Sequence, residues 1–190
     1  MLFQMQALQV TELLNGYGIK KIITTCPHCF NTFKNEYPDL GGSYDVISHV
    51  EFLNNLIEEG RLKLNKQMMK DVKITFHDPC YLGRHNSDYE SPRMILRSLP
   101  GVKIAEMDRN RKNALCCGGG GGNFFTDLRS GGDDSPARVR VREAAMAGAE
   151  VLAVACPQCA VMLEDAVKTE GLNGKMRVME LSEIILARML

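Results

Sequence analysis

Tryptophan is missing from the 190 residues, aromatics make up only 6%, and neither charge is in excess, with Lys plus Arg and Asp plus Glu at 23 each. That balance argues against a polyelectrolyte surface for nucleic acid and against an acidic tail, so no nucleic-acid partner is expected. No apolar run reaches the roughly 18 residues of a membrane span, and Met1 to Gly16 lacks the cationic-then-apolar pattern of a secretory leader. A soluble, cytoplasmic chain is expected, one that reaches a membrane only through a partner. The tract Gly118 to Gly122 is not followed by Lys-Ser or Lys-Thr, which excludes a Walker phosphate loop. The length suffices for one domain or two small lobes burying roughly 70% of the unfolded surface.

The seven cysteines are what is there. An odd count gathered into CC and CxxC patterns, with no secretory context, fits metal or redox chemistry in a reducing compartment better than a disulfide framework. Adjacent Cys116 and Cys117 cannot close an ordinary disulfide on each other without distorting the backbone, so the pair serves something outside the chain. Cys80 lies before it with 35 residues between, and Cys156-Pro157-Gln158-Cys159 follows with 38 between. Those five cysteines form one set, with Cys26-Pro27-His28-Cys29 left over. Thiolate-rich sites select iron–sulfur clusters or zinc. A CxxC at a helix amino terminus meets free amides and the positive end of the dipole, which favours thiolate. Gly118, Gly119 and Gly120 would let the backbone approach a bulky inorganic body and offer it amides. His28, His77 and Asp78 are expected to be structural rather than direct ligands, and Met94, Met146 and Met162 to fill the core.

Hydrophobic spacing predicts helix over 5–16, strand over 20–25, helix over 30–37, strand over 44–47 and helix over 50–59. A polar connection at 61–71 follows. The second part reads as strand 72–76, a helix from Ser91 to Pro100, strand 102–107, a charged loop 109–113, the CCG element, an irregular stretch 123–134, helix 135–147, strand 150–155, helix to about Lys168, strand 176–179 and a last helix from Ser182. Gly18, Cys26, Pro27 and Cys29 recur 130 positions later as Gly148, Cys156, Pro157 and Cys159. The expected fold is therefore α/β, two pseudo-symmetric Rossmann-like lobes with mostly parallel sheets. The first lobe is incomplete: residues 1–65 are the second half of a repeat, and 66–190 are a complete one. Cys26, Cys80 and Cys156 all fall beyond the carboxyl ends of strands, where such sheets bind ligands.

Cys80, Cys116-Cys117-Gly118 and Cys156-x-x-Cys159, with His77-Asp78-Pro79-Cys80-Tyr81-Leu82-Gly83-Arg84 around the first cysteine, resemble the cysteine-rich CCG domain of heterodisulfide reductase subunits and related iron–sulfur oxidoreductases. The chain resembles a carboxyl-terminal portion of such proteins. The resemblance implies a non-cubane 4Fe-4S cluster on Cys80, Cys116, Cys117, Cys156 and Cys159. In the disulfide-reducing members two such clusters flank the substrate disulfide and cleave it by stepwise one-electron transfer. It also implies electron delivery to a disulfide or related acceptor near Cys116 and Cys117, with His77 supplying protons. The first repeat has no upstream cysteine and no CC pair, so one cluster is expected here. No four-cysteine ferredoxin run is present. The implied partners are an electron-donating iron–sulfur or flavoprotein subunit and the missing half-lobe of a longer parent chain. The other reading is a non-catalytic scaffold holding zinc or free thiols, for which four thiolates would suffice and a fifth is surplus.

Overall fold

A computed structural model describes residues 2–65, 71–126 and 132–189. The chain is α/β, with a two-stranded and a four-stranded sheet, both parallel. Helix α1 (Leu2–Gly16) leads through Gly18, whose φ of 67° ends the helix, into β1 (Lys21–Thr24). Helix α2 (Pro27–Asn31) follows with proline in its first turn. A π-helical turn, Thr32–Glu36, and a 3-10 turn, Tyr37–Leu40, replace the continuous helix expected up to Tyr37. Strand β2 (Asp45–Ser48) pairs with β1 from Lys21 opposite Asp45 to Thr24 opposite Ser48. Helix α3 (His49–Glu58) starts at a Ser48 cap whose hydroxyl accepts from the Glu51 amide at 3.1 Å.

The larger sheet has the order β4-β3-β5-β6. Strand β3 (Val72–Phe76) is followed by the short helix α4 (Cys80–Gly83), which periodicity does not reveal, and by α5 (Ser91–Ser98). Strand β4 (Val102–Ile104) is shorter than expected, and a 3-10 turn, Arg111–Asn113, occupies the charged loop. Helix α6 (Asn123–Thr126) opens the stretch read as irregular, of which 127–131 lie outside the described residues. Helix α7 (Pro136–Met146), strand β5 (Val151–Val154), helix α8 (Pro157–Thr169), strand β6 (Arg177–Glu180) and helix α9 (Leu181–Leu186) complete the chain.

Side chains alternate along β5 because successive residues of a strand face opposite ways. Val151, Ala153 and Ala155 join Phe76, Ile95, Leu96, Leu181 and Ile184 in one core, while Leu152, Val154 and Cys156 join Val141, Ala144, Cys159 and Leu163 in the other. β5 is thus buried on both faces, as a central parallel strand should be. Two of the methionines assigned to the core are not in it: Met94 is 40% and Met146 78% exposed, each on the solvent side of its helix. Met162 does pack against the second core.

The polar connection ahead of β3 is tied down more than its composition suggests. Leu62 and Leu64 pack on the first core, and Leu64 bridges antiparallel to Met189. Residues 66–70 of that connection, including the start of the expected second unit, lie outside the described residues. Helix α3 follows the small sheet but buries Val50 completely in the core of the large one, with Leu53 and Ile57 beside it. Truncating Val50→Ala removes two methyl groups from that site and is expected to cost about 2 kcal/mol in urea unfolding, while the transition stays single and cooperative because the two sheets share this core.

Candidate functional site

Three strand ends converge. β3 delivers Cys80 at the start of α4, β5 delivers Cys156 as the residue capping α8, and the loop after β4 carries Cys116 and Cys117. Cys116 has Cys117 and Cys80 as its sulfur neighbours. Cys117 also neighbours Cys159, which neighbours Cys156. The five cysteines therefore form one continuous run of sulfurs in the order Cys80, Cys116, Cys117, Cys159, Cys156, and all are free thiols. Cys117, Cys156 and Cys159 are buried, and Cys80 and Cys116 are half-buried.

Five neighbouring thiols cannot all ionise at equal cost. Hydrogen bonds from Cys117 and Cys80 hold Cys116 down to about 2, with the Gly118 amide adding to them against the burial. Its neighbours move the other way: Cys80 is pushed up by the hydrogen bond to Cys116 and by burial, and Cys117 rises to about 12 chiefly through Cys116. Cys156 falls to about 7 through Cys159 and the amides of Cys159 and Gln158, the helix-terminus effect expected of its CxxC. Cys29 departs from that expectation. Burial and its neighbour Cys26 raise it to about 11, and the equivalent Cys159 on α8 is raised too, by Cys117, Cys156 and burial.

Of the three glycines, Gly118 donates its amide to Cys116 Sγ at 3.4 Å, and the Gly119 amide supports Cys117. The Gly119 carbonyl accepts from Gln158 Nε2 at 2.8 Å, tying the loop to the CxxC of α8. Gly120 accepts from the Asn123 amide at 3.2 Å and so starts α6. Gly118 has a φ of 82°, and a Cβ there would lie 3.3 Å from Pro136. The first two glycines face the sulfurs.

The loop is held from behind by charges that hydrophobic periodicity did not single out. Arg93 on α5 is fully buried, with Nη1 and Nη2 on the two oxygens of Asp78 at 2.7 and 3.0 Å, and Nε and Nη2 on those of Glu106 at 2.7 and 2.9 Å. Asp78 also accepts from the Arg111 amide at 2.8 Å, at a residue whose φ of 53° is unusual for a side chain of this size. One buried carboxylate thus fixes both the turn into Cys80 and the loop that leads to Cys116. Arg84 reaches the Ala114 carbonyl from the other side. The signal available was an arginine at an inward helical position beside Ile95 and Leu96.

His77 and Asp78 sit just past the end of β3. A ring nitrogen of His77 and the sulfurs of Cys117 and Cys159 lie within 4.8 Å of one another. His77 is held neutral, its pKa lowered to about 3 by burial and by the cationic Arg140. The CxxC of α2 closes the other side. His28 packs on Tyr81 at 4.2 Å, Tyr81 stacks on His85 at 4.3 Å, and Asn86 Nδ2 donates to Asn31 Oδ1 at 3.1 Å. Cys26 and Cys29 thereby flank the five-sulfur run without belonging to it.

The cysteine-rich CCG family profile matches residues 2–34 and 74–164, which include both CxxC motifs and the CC pair. The chain belongs to the CCG cysteine-rich domain family. It is 36% identical over 184 residues to the probable iron-sulfur-binding oxidoreductase FadF of Bacillus subtilis, covering 97% of this chain and 26% of that protein. EtfAB:quinone oxidoreductase of Syntrophomonas wolfei is 35% identical over 189 residues, with the same coverages of 97% and 26%. One component of the dihydromethanophenazine:CoB–CoM heterodisulfide reductase of Methanosarcina acetivorans is 39% identical over 160 residues, 81% of this chain and 37% of that component. The CCG chain described here thus spans about a quarter to just over a third of these relatives, matching a carboxyl-terminal portion of longer proteins. No helix among its described residues is long and apolar enough to cross a membrane.

If the Asp78 carboxylate organises this CCG site, removing its buried cation should be costly. Arg93→Met is expected to lose about 3–5 kcal/mol of stability in urea unfolding, because Asp78 is left buried and unpaired. A double substitution with Asp78→Asn should recover part of the loss.

Proposed function

We propose that this chain is the cluster-bearing part of an iron–sulfur oxidoreductase of the heterodisulfide-reductase kind, holding one non-cubane 4Fe-4S cluster on Cys80, Cys116, Cys117, Cys156 and Cys159. The single observation that carries the proposal is the continuous run of five sulfurs from three strand ends. The donor set fits such a group: soft sulfur ligands, amides of Gly118 and Gly119 directed at two of them, and buried Arg140 with an Nη2 that has no partner among the described residues. When bound, the cluster would supply one-electron chemistry, and reduction of a disulfide would consume two electrons and two protons to give two thiols. Cys116 and Cys117 are the sulfurs around which an acceptor would be reduced, Cys116 being the more exposed of the two. The electrons must come from a partner carrying an iron–sulfur or flavin group.

The same reading treats 1–65 and 66–190 as two Rossmann-like lobes, the first incomplete. β1 and β5 are equivalent strands 130 residues apart, yet β5 has β3 on its free side and β1 has no second neighbour among the described residues. Ile23 is 45% exposed where its equivalent, Ala153, is 0%. A missing half-lobe from a longer parent chain, adding a parallel strand to β1, accounts for that edge and for the exposed Leu8 and Leu13 on α1.

The second reading, a zinc or thiol scaffold, is favoured by one observation: among the described residues, His77, Cys117 and Cys159 alone are grouped closely enough for a tetrahedral ion. Metal analysis after anaerobic reconstitution separates the two. The cluster reading expects about four iron and four sulfide per chain. Cys80→Ser should abolish most of that uptake, whereas a zinc ion on His77, Cys117 and Cys159 should tolerate it. Zinc alone in the wild-type chain would overturn the cluster reading.

A further inference from the structure

Among the described residues, Arg140 is the fully buried charge that neither the ligand set nor the Asp78 network uses. It lies on α7, is 0% exposed, and donates Nε to His77 Nδ1 at 3.2 Å and Nη1 to Glu143 at 2.8 Å and to the Arg109 carbonyl at 2.5 Å. A guanidinium donates and never accepts, so the His77 Nδ1 it meets must carry the lone pair. In a neutral imidazole the proton then sits on Nε2. Nε2 is then the ring nitrogen left to donate, and the ring reaches the sulfurs of Cys117 and Cys159, one of its nitrogens lying within 4.8 Å of both.

We propose that Arg140 is a positioning residue that locks His77 in the Nε2–H tautomer, so that His77 donates a hydrogen bond to the sulfurs of Cys117 and Cys159 and to a cluster held on them. The part that concerns the cluster rests on the cluster reading above. It gives His77 a part other than the proton source expected from sequence: giving up Nε2–H would leave an imidazolate, and ligating a metal through Nε2 would need the proton moved to the nitrogen that Arg140 already occupies. Nε and Nη2 share one edge of the guanidinium, and Nη2 has no hydrogen-bond partner among the described residues, so a second donor lies beside the His77 ring. A donor N–H and a buried cation on one wall both favour the more negative state of whatever sulfur-rich group sits there.

Two measurements test this. In the metal-free, thiol-reduced chain, nitrogen-15 NMR should show His77 protonated at Nε2 alone, and Arg140→Met should give a mixture of tautomers. A wild-type His77 protonated at Nδ1 would overturn the proposal whether or not any iron binds. In the reconstituted chain, poised at the wild-type midpoint potential and read by electron paramagnetic resonance, His77→Leu should shift the ratio of oxidised to reduced cluster about tenfold towards oxidised, the effect of one charge-assisted hydrogen bond. His77→Gln, whose amide can still donate, should shift it less. Equal ratios in wild type and His77→Leu would overturn the donor role. A wild-type chain that takes up no iron would sink the cluster reading instead, and the tautomer would still decide what Arg140 does.

Discussion

Five sulfurs packed at the mouth of a parallel sheet repel one another once more than one is ionised, and the second part of the chain is arranged around that constraint. Cys116 takes the negative charge, and the thiols on either side support it with hydrogen bonds that raise their own pKa values. A run of this kind has one low-energy ionisation state and many costly ones.

Geometry that tight has to be held from outside the run. Asp78 and Arg93 do this for the two loops, and Arg140 does it for His77 at the wall. Arg93 is buried on a helix whose other inward residues are apolar, Arg140 beside the buried Glu143, and both hold several acceptors at once through the fixed fork of a planar guanidinium. The stability of the fold and the shape of the site therefore depend on the same few buried charges. That coupling leaves little room to change one without the other.

The strands and the cysteine set were legible because both are written in short-range pattern. β-branched runs such as Ile22-Ile23-Thr24 and Val72 to Phe76 show period and breakers, and the 130-residue offset shows that Cys26 and Cys156 occupy equivalent strand ends. What was not legible depends on partners far away in sequence. Arg93 is marked only by its inward position beside Ile95 and Leu96, and nothing local distinguishes Arg140 from the exposed arginines around it, or Met94 and Met146 from buried methionines. The two CxxC motifs read alike, yet Cys156 begins a 13-residue helix and Cys26 a five-residue one. The turn Thr32–Glu36 winds more loosely than an α-helix, and spacing arguments built on 3.6 residues per turn miss it.

The open side of β1 bears on the behaviour of the molecule in solution. A bare strand edge beside exposed leucines offers any second copy a ready template, and uncovered edges of this kind are where soluble proteins begin to polymerise. Here the edge opens on Lys20 and Lys21, both exposed; Lys21 is paired with Asp45 at 3.1 Å, so Lys20 is the charge that edge-to-edge pairing would bring against its own kind. Colloidal behaviour then turns on ionic strength: dilute buffer lets Lys20 keep copies apart, and added salt screens it and exposes the apolar edge to its own kind.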